Sequence, residues 1–267
     1  MPRTLVPRTL VRRARPDGGT LWESIVNGPV RSRRLGISLG LNLLPLGSKL
    51  CTFDCPYCEC GFNTPRAPHS RWPSPDEVAH ALRRALERNA VAPEWITFAG
   101  NGEPTMHPRF AVVVDRVLAV RAEVARETRV GVLTNGLAAG RPDITKALRR
   151  VDARMIKLDP GPAERVNGVA YDAGAVVDAC RALAPVVIQA MVTRTGTTRG
   201  EGWDGSSEHS VAAWLPLLRR AEPTEVHLYS LDRAPADPGL QKVPRERLEQ
   251  MANAIRRTLP RVKVLVV

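Results

Sequence analysis

Short runs rich in Val, Ile and Leu recur along the chain, separated by longer stretches in which apolar positions return at helical spacing. Compact apolar or alternating runs read as strands, and the helical period reads as amphipathic helix. Strands are predicted over 35–43, 94–99, 129–134, 153–158, 185–193, 224–230 and 262–267. Helices are predicted over 75–90, 108–127, 142–150, 172–184, 208–221 and 243–258. Ser74-Pro75-Asp76-Glu77 opens the first helix with a capping hydroxyl, a proline at the first helical position and carboxylates at the positive end of the dipole. Pro108 and Asp143 mark two further helix starts. Strands alternating with helices are βαβ units and build a parallel sheet. Six such units are too few for a closed eight-fold barrel. They suit an open, partial barrel or a doubly wound sheet, and in both cases ligands gather at the C-terminal ends of the strands.

Composition adds limits. With 267 residues, 43% apolar and 25% charged, the chain can bury one sizeable core and is not disordered along most of its length. No apolar run approaches the roughly 20 residues that span a bilayer. The N-terminus lacks the apolar core of a secretory signal, so a cytoplasmic protein without membrane partners is expected. The charge is less ordinary: 39 Lys+Arg against 27 Asp+Glu gives +12, which invites a nucleic-acid or other anionic partner. Half of that excess lies in residues 1–34, where PRTLV occurs twice, at Pro2–Val6 and Pro7–Val11. Residues 1–19 are read as a flexible basic arm and 20–267 as one domain.

The sharpest signal is CTFDCPYCEC, which places Cys51, Cys55, Cys58 and Cys60 within ten residues. Clustered thiols in a chain without a secretory signal mean metal or redox work rather than a disulfide framework. A zinc knuckle would need a second, separated pair of ligands. Cys51-x3-Cys55-x2-Cys58 instead wraps one loop around a compact soft centre; three thiolates can hold three irons of a cubane and leave the fourth iron open.

These residues carry a family resemblance. The CxxxCxxC loop with Tyr57 before its third cysteine resembles the signature of the radical S-adenosylmethionine (radical SAM) enzymes. Gly100-Asn101-Gly102-Glu103-Pro104, after the second predicted strand, resembles the family's Gly-Gly-Glu-Pro segment, and Thr134-Asn135-Gly136 ends the next strand. The leader Ser32–Pro45 and the stretch AGNGEPTMHP are similar to a subgroup of small iron–sulfur oxidoreductases related to the wyosine-forming tRNA enzymes. The resemblance spans residues 28–262. It implies a single-domain α/β fold, a partial (βα)6 TIM-like barrel. It implies a [4Fe-4S] cluster on Cys51, Cys55 and Cys58, S-adenosylmethionine (SAM) on the open iron, and an external electron donor of flavodoxin or ferredoxin type. Reductive cleavage of SAM would then give a 5′-deoxyadenosyl radical that takes hydrogen from a substrate.

Cofactor contacts follow from the resemblance and from simple geometry. Gly100, Asn101 and Gly102 form a turn that lets backbone approach the SAM amino group, with Glu103 as a direct acceptor or an ordinary turn acid. Tyr57 falls at the position that neighbours adenine, or else packs the loop. Thr134 and Asn135 stand where ribose hydroxyls are expected, or form a plain strand-ending turn. Lys157 and Asp159 share one face of their strand. Lys157 is read as the holder of a carboxylate of SAM or substrate, oriented by Asp159; a buried ion pair is the alternative. Gln189 is expected to make a polar contact, Met191 to pack, and Asp232 and Arg233 to lie near substrate. The Gly-rich segment Thr195–Ser207 is read as a lid, or as a disordered insertion.

Two departures stand out. Cys60 is a fourth thiol that is read as a non-ligand beside the cluster, and no second cysteine cluster accompanies it. Cys180 reads as a core thiol. The substrate stays open among a nucleoside or tRNA, a peptide and a small metabolite, with the charge favouring an anionic one or RNA. The competing class is a non-catalytic iron–sulfur or zinc protein that binds nucleic acid.

Overall fold

The structure is a computed structural model that describes residues 12–15, 19–64, 71–89, 91–195 and 202–267. It begins with β1 (Arg12–Ala14) and β2 (Thr20–Trp22), an antiparallel pair. The hairpin β3 (Val26–Ser32) and β4 (Gly36–Leu41) follows. The chain then alternates through α1 (Pro75–Arg88), β5 (Trp95–Phe98), α2 (Phe110–Val124), β6 (Arg129–Thr134), α3 (Pro142–Leu148) and β7 (Ala153–Lys157). After α4 (Ala163–Asn167) and α5 (Ala173–Ala182) come β8 (Val187–Met191), β9 (Thr193–Thr195), α6 (Glu208–Ala221) and β10 (Glu225–Tyr229). The short β11 (Leu240–Lys242), α7 (Arg245–Thr258) and β12 (Lys263–Val266) complete it. Each predicted strand and helix has its counterpart, with ends differing by at most three residues.

The main sheet has eight strands in the order β12-β10-β8-β7-β6-β5-β4-β3. All neighbours are parallel except β3, which runs antiparallel to β4 at one edge. The sheet is curled into a half barrel. Arg34, in the β3–β4 turn, reaches Gln189 on β8, four strands from β4 in the sheet order, which a flat sheet would not allow. The predicted α/β partial barrel is therefore the fold. Its helices cover the outer face, where Val113, Val117, Cys180, Leu218 and Ile255 are buried with the outward side chains of the strands. Ser74 caps α1 as the sequence indicates: its hydroxyl accepts from Glu77 N, and the Glu77 carboxylate accepts from Ser74 N.

Sequence patterning missed β1, β2, β3, β9, β11 and α4. Five of these are three to five residues long, and β3 (VNGPVRS) is broken by Gly28-Pro29. The basic arm expected over residues 1–19 is in part a structured element, because Arg12–Ala14 pair with Thr20–Trp22. Arg15 also donates to the carbonyls of Cys60 and Phe62 at 2.8 and 2.9 Å. The rest of that arm lies outside the described residues. No helix among the described residues is long and apolar enough to cross a membrane.

Two buried histidines give the fold an acid-side sensitivity. His107 Nε2–H donates to Pro73 O at 2.8 Å, while its Nδ1 accepts from Arg109 N at 3.1 Å. His227 Nδ1 accepts from Gln189 Nε2 at 2.7 Å, and its Nε2 faces Glu225 at 3.0 Å. Burial holds both rings below the ordinary value of 6.5, outweighing the pull of Glu225 on His227. A native state that resists protonation loses stability as pH falls below the unfolded value, because the unfolded chain takes up the protons. The urea midpoint is expected to drop from pH 6.5 toward about 5. Replacing both residues with Gln is expected to flatten that slope, and an unchanged slope would exclude this origin.

Candidate active site

The cysteine loop leaves the C-terminal end of β4 and is held by side chains on every side. Asp54 N donates to Asn167 O at 2.8 Å, and the Asn63 side chain brackets Cys51, accepting from its N–H and donating to its carbonyl, both at 3.1 Å. Lys49, 1% exposed, donates to Gly61 O at 2.6 Å and pairs with Asp54 at 3.1 Å. Burial opposes its charge, but Cys58, Asp54 and Cys51 keep its pKa raised. From outside, Thr20 N donates to Glu59 O at 2.8 Å, and Arg12 pairs with Glu59 at 2.9 Å.

The thiols are not alike. Burial pushes Cys55 up to about 11, with Asp159 adding to it against Lys157. Cys51 is raised by burial and by Glu103. Cys58 is lowered by a hydrogen bond from Cys60 and by Lys49, whereas Cys60 is raised by the same partnership. The Cys60 thiol donates to Gly100 O at 3.7 Å.

The Gly100–Glu103 turn is welded to this loop. Leu50 N donates to Asn101 O and Glu103 N to Leu50 O, each at 3.0 Å. A Cβ on Gly102, where φ is +146°, would come within 1.7 Å of Leu50 O, and one on Gly100 within 2.4 Å of Asn42 Oδ1. These glycines are therefore required by the protein's own backbone and side chains. Asn101, fully buried, turns away from the cavity and exchanges two hydrogen bonds with the Trp22 backbone, at 2.8 and 2.9 Å. The Asn101 amide locks β2 against the turn. Glu103 is buried and accepts from Thr105 N and Oγ1, Thr134 Oγ1 and Asn135 N at 2.6–3.1 Å. Burial raises its pKa in spite of these donors. It joins the ends of β5 and β6 and also lines the cavity.

On the opposite side, Tyr57 O–H donates to Asp159. Asp159 also accepts from Asn167 Nδ2 and Met191 N, each at 2.8 Å, and pairs with Lys157 at 3.2 Å. Burial opposes the charge of Lys157, yet Asp159, Tyr229 and Cys55 hold its pKa up. Lys157 Nζ stands over the Tyr57 ring, 4.7 Å from its centroid. Asp159 is not among the cavity-lining residues, and its side chain is fully buried. The ion-pair alternative thus describes Asp159, and Lys157 alone of the two faces the cavity.

One cavity of about 490 Å³ collects Cys51, Cys55, Cys58, Tyr57, Glu103 and Thr134. Gly100, Gly102, Asn135, Lys157 and Gln189 line it as well, as do Asp232 and Arg233. Asn135 Nδ2 lies 3.9 Å from Cys51 Sγ and 2.6 Å from Thr52 Oγ1. Sequence reasoning missed Lys49, Asn63 and Asn167, since a lone Lys or Asn in a loop carries no period or motif. The second half of the expected lid is anchored. Trp203 exchanges hydrogen bonds with Thr195 and packs with Phe53, Tyr57 and Val166. Residues 196–201 lie outside the described residues.

The comparisons with known proteins now bear on this geometry. Residues 47–202, more than half of the chain, match the Radical SAM superfamily. The chain belongs to the Radical SAM superfamily. The family's cofactors are a [4Fe-4S] cluster and SAM, and its members are enzymes. A UPF0026 protein of Helicobacter pylori is 30% identical over 135 residues, 51% of this chain and 42% of the relative. The chain thus spans less than half the length of the UPF0026 relatives it matches. Among solved structures, Streptococcus suis SuiB bound to S-adenosylmethionine is similar with a TM-score of 0.56 and 12% identity, covering 82% of this chain and 48% of SuiB. Archaeal TYW1 is similar with a TM-score of 0.50 and 12% identity, covering 83% of this chain and 72% of TYW1. At such identities these structures support the fold alone.

The donor set of this radical SAM protein fits the family's cluster. Its three CxxxCxxC thiols line one cavity, and thiolates are the ligands that select iron–sulfur centres. Among the described residues no three His, Cys, Asp or Glu side chains converge closely enough for a single metal ion.

Proposed function

We propose that this chain is a radical SAM enzyme in which Cys51, Cys55 and Cys58 hold a [4Fe-4S] cluster. One observation supports this most directly: the three thiols line the same cavity as Glu103, Thr134, Asn135 and Lys157, at the C-terminal ends of the parallel strands. When bound, the cluster and SAM supply a reductively generated 5′-deoxyadenosyl radical, with the electron coming from a flavodoxin- or ferredoxin-type donor. The protein's part is placement and exclusion of water. Lys49 lends positive charge to the loop beside Cys58. Glu103 keeps one carboxylate oxygen with a single protein donor, Asn135 N, and so has capacity for the SAM amino group. Thr134 and Asn135 offer polar groups beside it, and Tyr57, fixed by Asp159, walls the loop. The substrate enters the same cavity.

Anaerobically reconstituted protein is expected to carry about four irons and to release 5′-deoxyadenosine from SAM after reduction. Protein that holds a single zinc and leaves SAM intact would overturn the reading. Cys60 is read as a non-ligand beside the cluster, its thiol donating to Gly100 O at 3.7 Å. Cys60→Ala is expected to retain its iron, measured by colorimetric iron assay, and to shift the cluster's midpoint potential, since hydrogen bonds to ligand sulfur tune that potential. Loss of iron would make Cys60 a ligand.

A further inference from the structure

The cavity wall built from the β3–β4 turn, β8 and β10 carries positive charge that the chain does not neutralise. Arg34 is half-buried and lays its guanidinium over the Tyr229 ring, 4.4 Å from the centroid. One edge of that guanidinium donates to Gln189 Oε1. Lys157 stands 5.5 Å from the centroid of the same ring, so two cations flank one tyrosine. Arg31, on β3, lines the same cavity.

The nearby carboxylates are already engaged. Asp159 serves Lys157, Tyr57, Asn167 and the Met191 amide. Asp232 pairs with Arg33 at 3.0 Å, and Glu59 pairs with Arg12 and Arg233. Among the described residues no carboxylate pairs with Arg31 or Arg34, and no acceptor meets the remaining N–H groups of Arg34. A half-buried guanidinium held in place without a counter-charge is poised to take up an anion. Its planar fork matches a carboxylate or a phosphate through two parallel hydrogen bonds. Gln189 and Tyr229 set the orientation in advance, so little side-chain entropy remains to be lost on binding.

We propose that this wall is an anion-binding subsite, in which Arg34, assisted by Arg31, receives a carboxylate or phosphate of the substrate and aims the rest of that molecule at the cysteine loop. Naming the bound molecule the substrate rests on the radical SAM reading; the affinity for an oxyanion does not.

Calorimetry on the reconstituted holoenzyme tests it, with inorganic pyrophosphate and citrate as separate probes, in the presence and absence of saturating SAM. At least one probe is expected to bind equally well with and without SAM, and the stronger of the two identifies phosphate or carboxylate. Arg34→Gln is expected to weaken that binding at least tenfold. Arg34→Lys, which keeps the charge and loses the fork, is expected to fall between. Arg31→Gln, at an exposed position, is expected to weaken it severalfold and serves if the Arg34 variants do not fold. Three results would each overturn the subsite: neither probe binds the wild type, the foldable variants bind as tightly as wild type, or SAM displaces the probe. In the last case the probe occupies the place of SAM, on or beside the open iron, and the wall is no separate subsite. Wild-type protein that binds a probe but never forms 5′-deoxyadenosine would count against the radical SAM reading and leave the subsite standing.

Discussion

Replacing Cys55 with alanine is expected to reduce iron from about four per chain to a small remainder, and 5′-deoxyadenosine formation to background. Cys55 is buried between the cluster-loop turn and Asn167, whose Nδ2 lies 3.7 Å from its sulfur. Its pKa near 11 means that the free protein keeps this thiol protonated at neutral pH. Cluster assembly must therefore expel the proton, and that is favourable only when iron replaces it. Alanine removes the ligand and leaves a gap lined by apolar rings, which water and oxygen can enter. Cys180→Ala is the matched control, since Cys180 is equally buried but lies in the main core. It is expected to keep its iron. Equal iron in the Cys55→Ala and wild-type proteins would remove Cys55 from the ligand set.

The second large effect is on stability. Asp159→Ala is expected to cost about 3–5 kcal/mol, the usual penalty for leaving a buried charge without its partner. Asp159 neutralises Lys157 and gathers the Tyr57 hydroxyl, Asn167 Nδ2 and Met191 N, all in a fully buried position. Alanine leaves the Lys157 ammonium without its counter-charge, and the Tyr57 hydroxyl and Met191 N without their acceptor. Asp159→Asn keeps the volume and some of the hydrogen bonds, and is expected to lose less. Urea denaturation of the two variants checks the order. A loss below about 1 kcal/mol for alanine would mean that water already shares this site. The same variants are expected to loosen the cysteine loop, seen as slower iron incorporation, because Tyr57 and Asn167 both touch it through Asp159.

Much of this was legible in the chain. Parallel strands buried on both faces are continuous apolar runs, and β5 (WITF) is buried at all four positions. The cysteine spacing and GNGEP are local signals, so the cavity could be located before any coordinates. Other features were not legible, for physical reasons. Gly100 and Gly102 read as room for a ligand, but the backbone of Leu50 and the side chain of Asn42 occupy that room. Asn101 belongs to a motif by sequence and to β2 by contact. Lys49 and Asn167 act through neighbours that the fold brings together, Asn167 lying 112 residues from Cys55. Arg34 lies in a turn and meets its partners 155 and 195 positions later, a distance that no local pattern reports.

The pairing of Trp22 with Asn101 joins segments 79 residues apart and encloses the whole cysteine loop between them. During synthesis the cysteines leave the ribosome well before residue 101, so for that interval they are exposed thiols on an unfastened loop. Only when the turn after β5 has emerged can Asn101 add its two hydrogen bonds to β2. Chain order therefore places the cysteine loop ahead of the turn that fastens it to β2. Iron delivery that ran ahead of the turn would meet free thiols without Asn135 and Asn167, whose amides face Cys51 and Cys55.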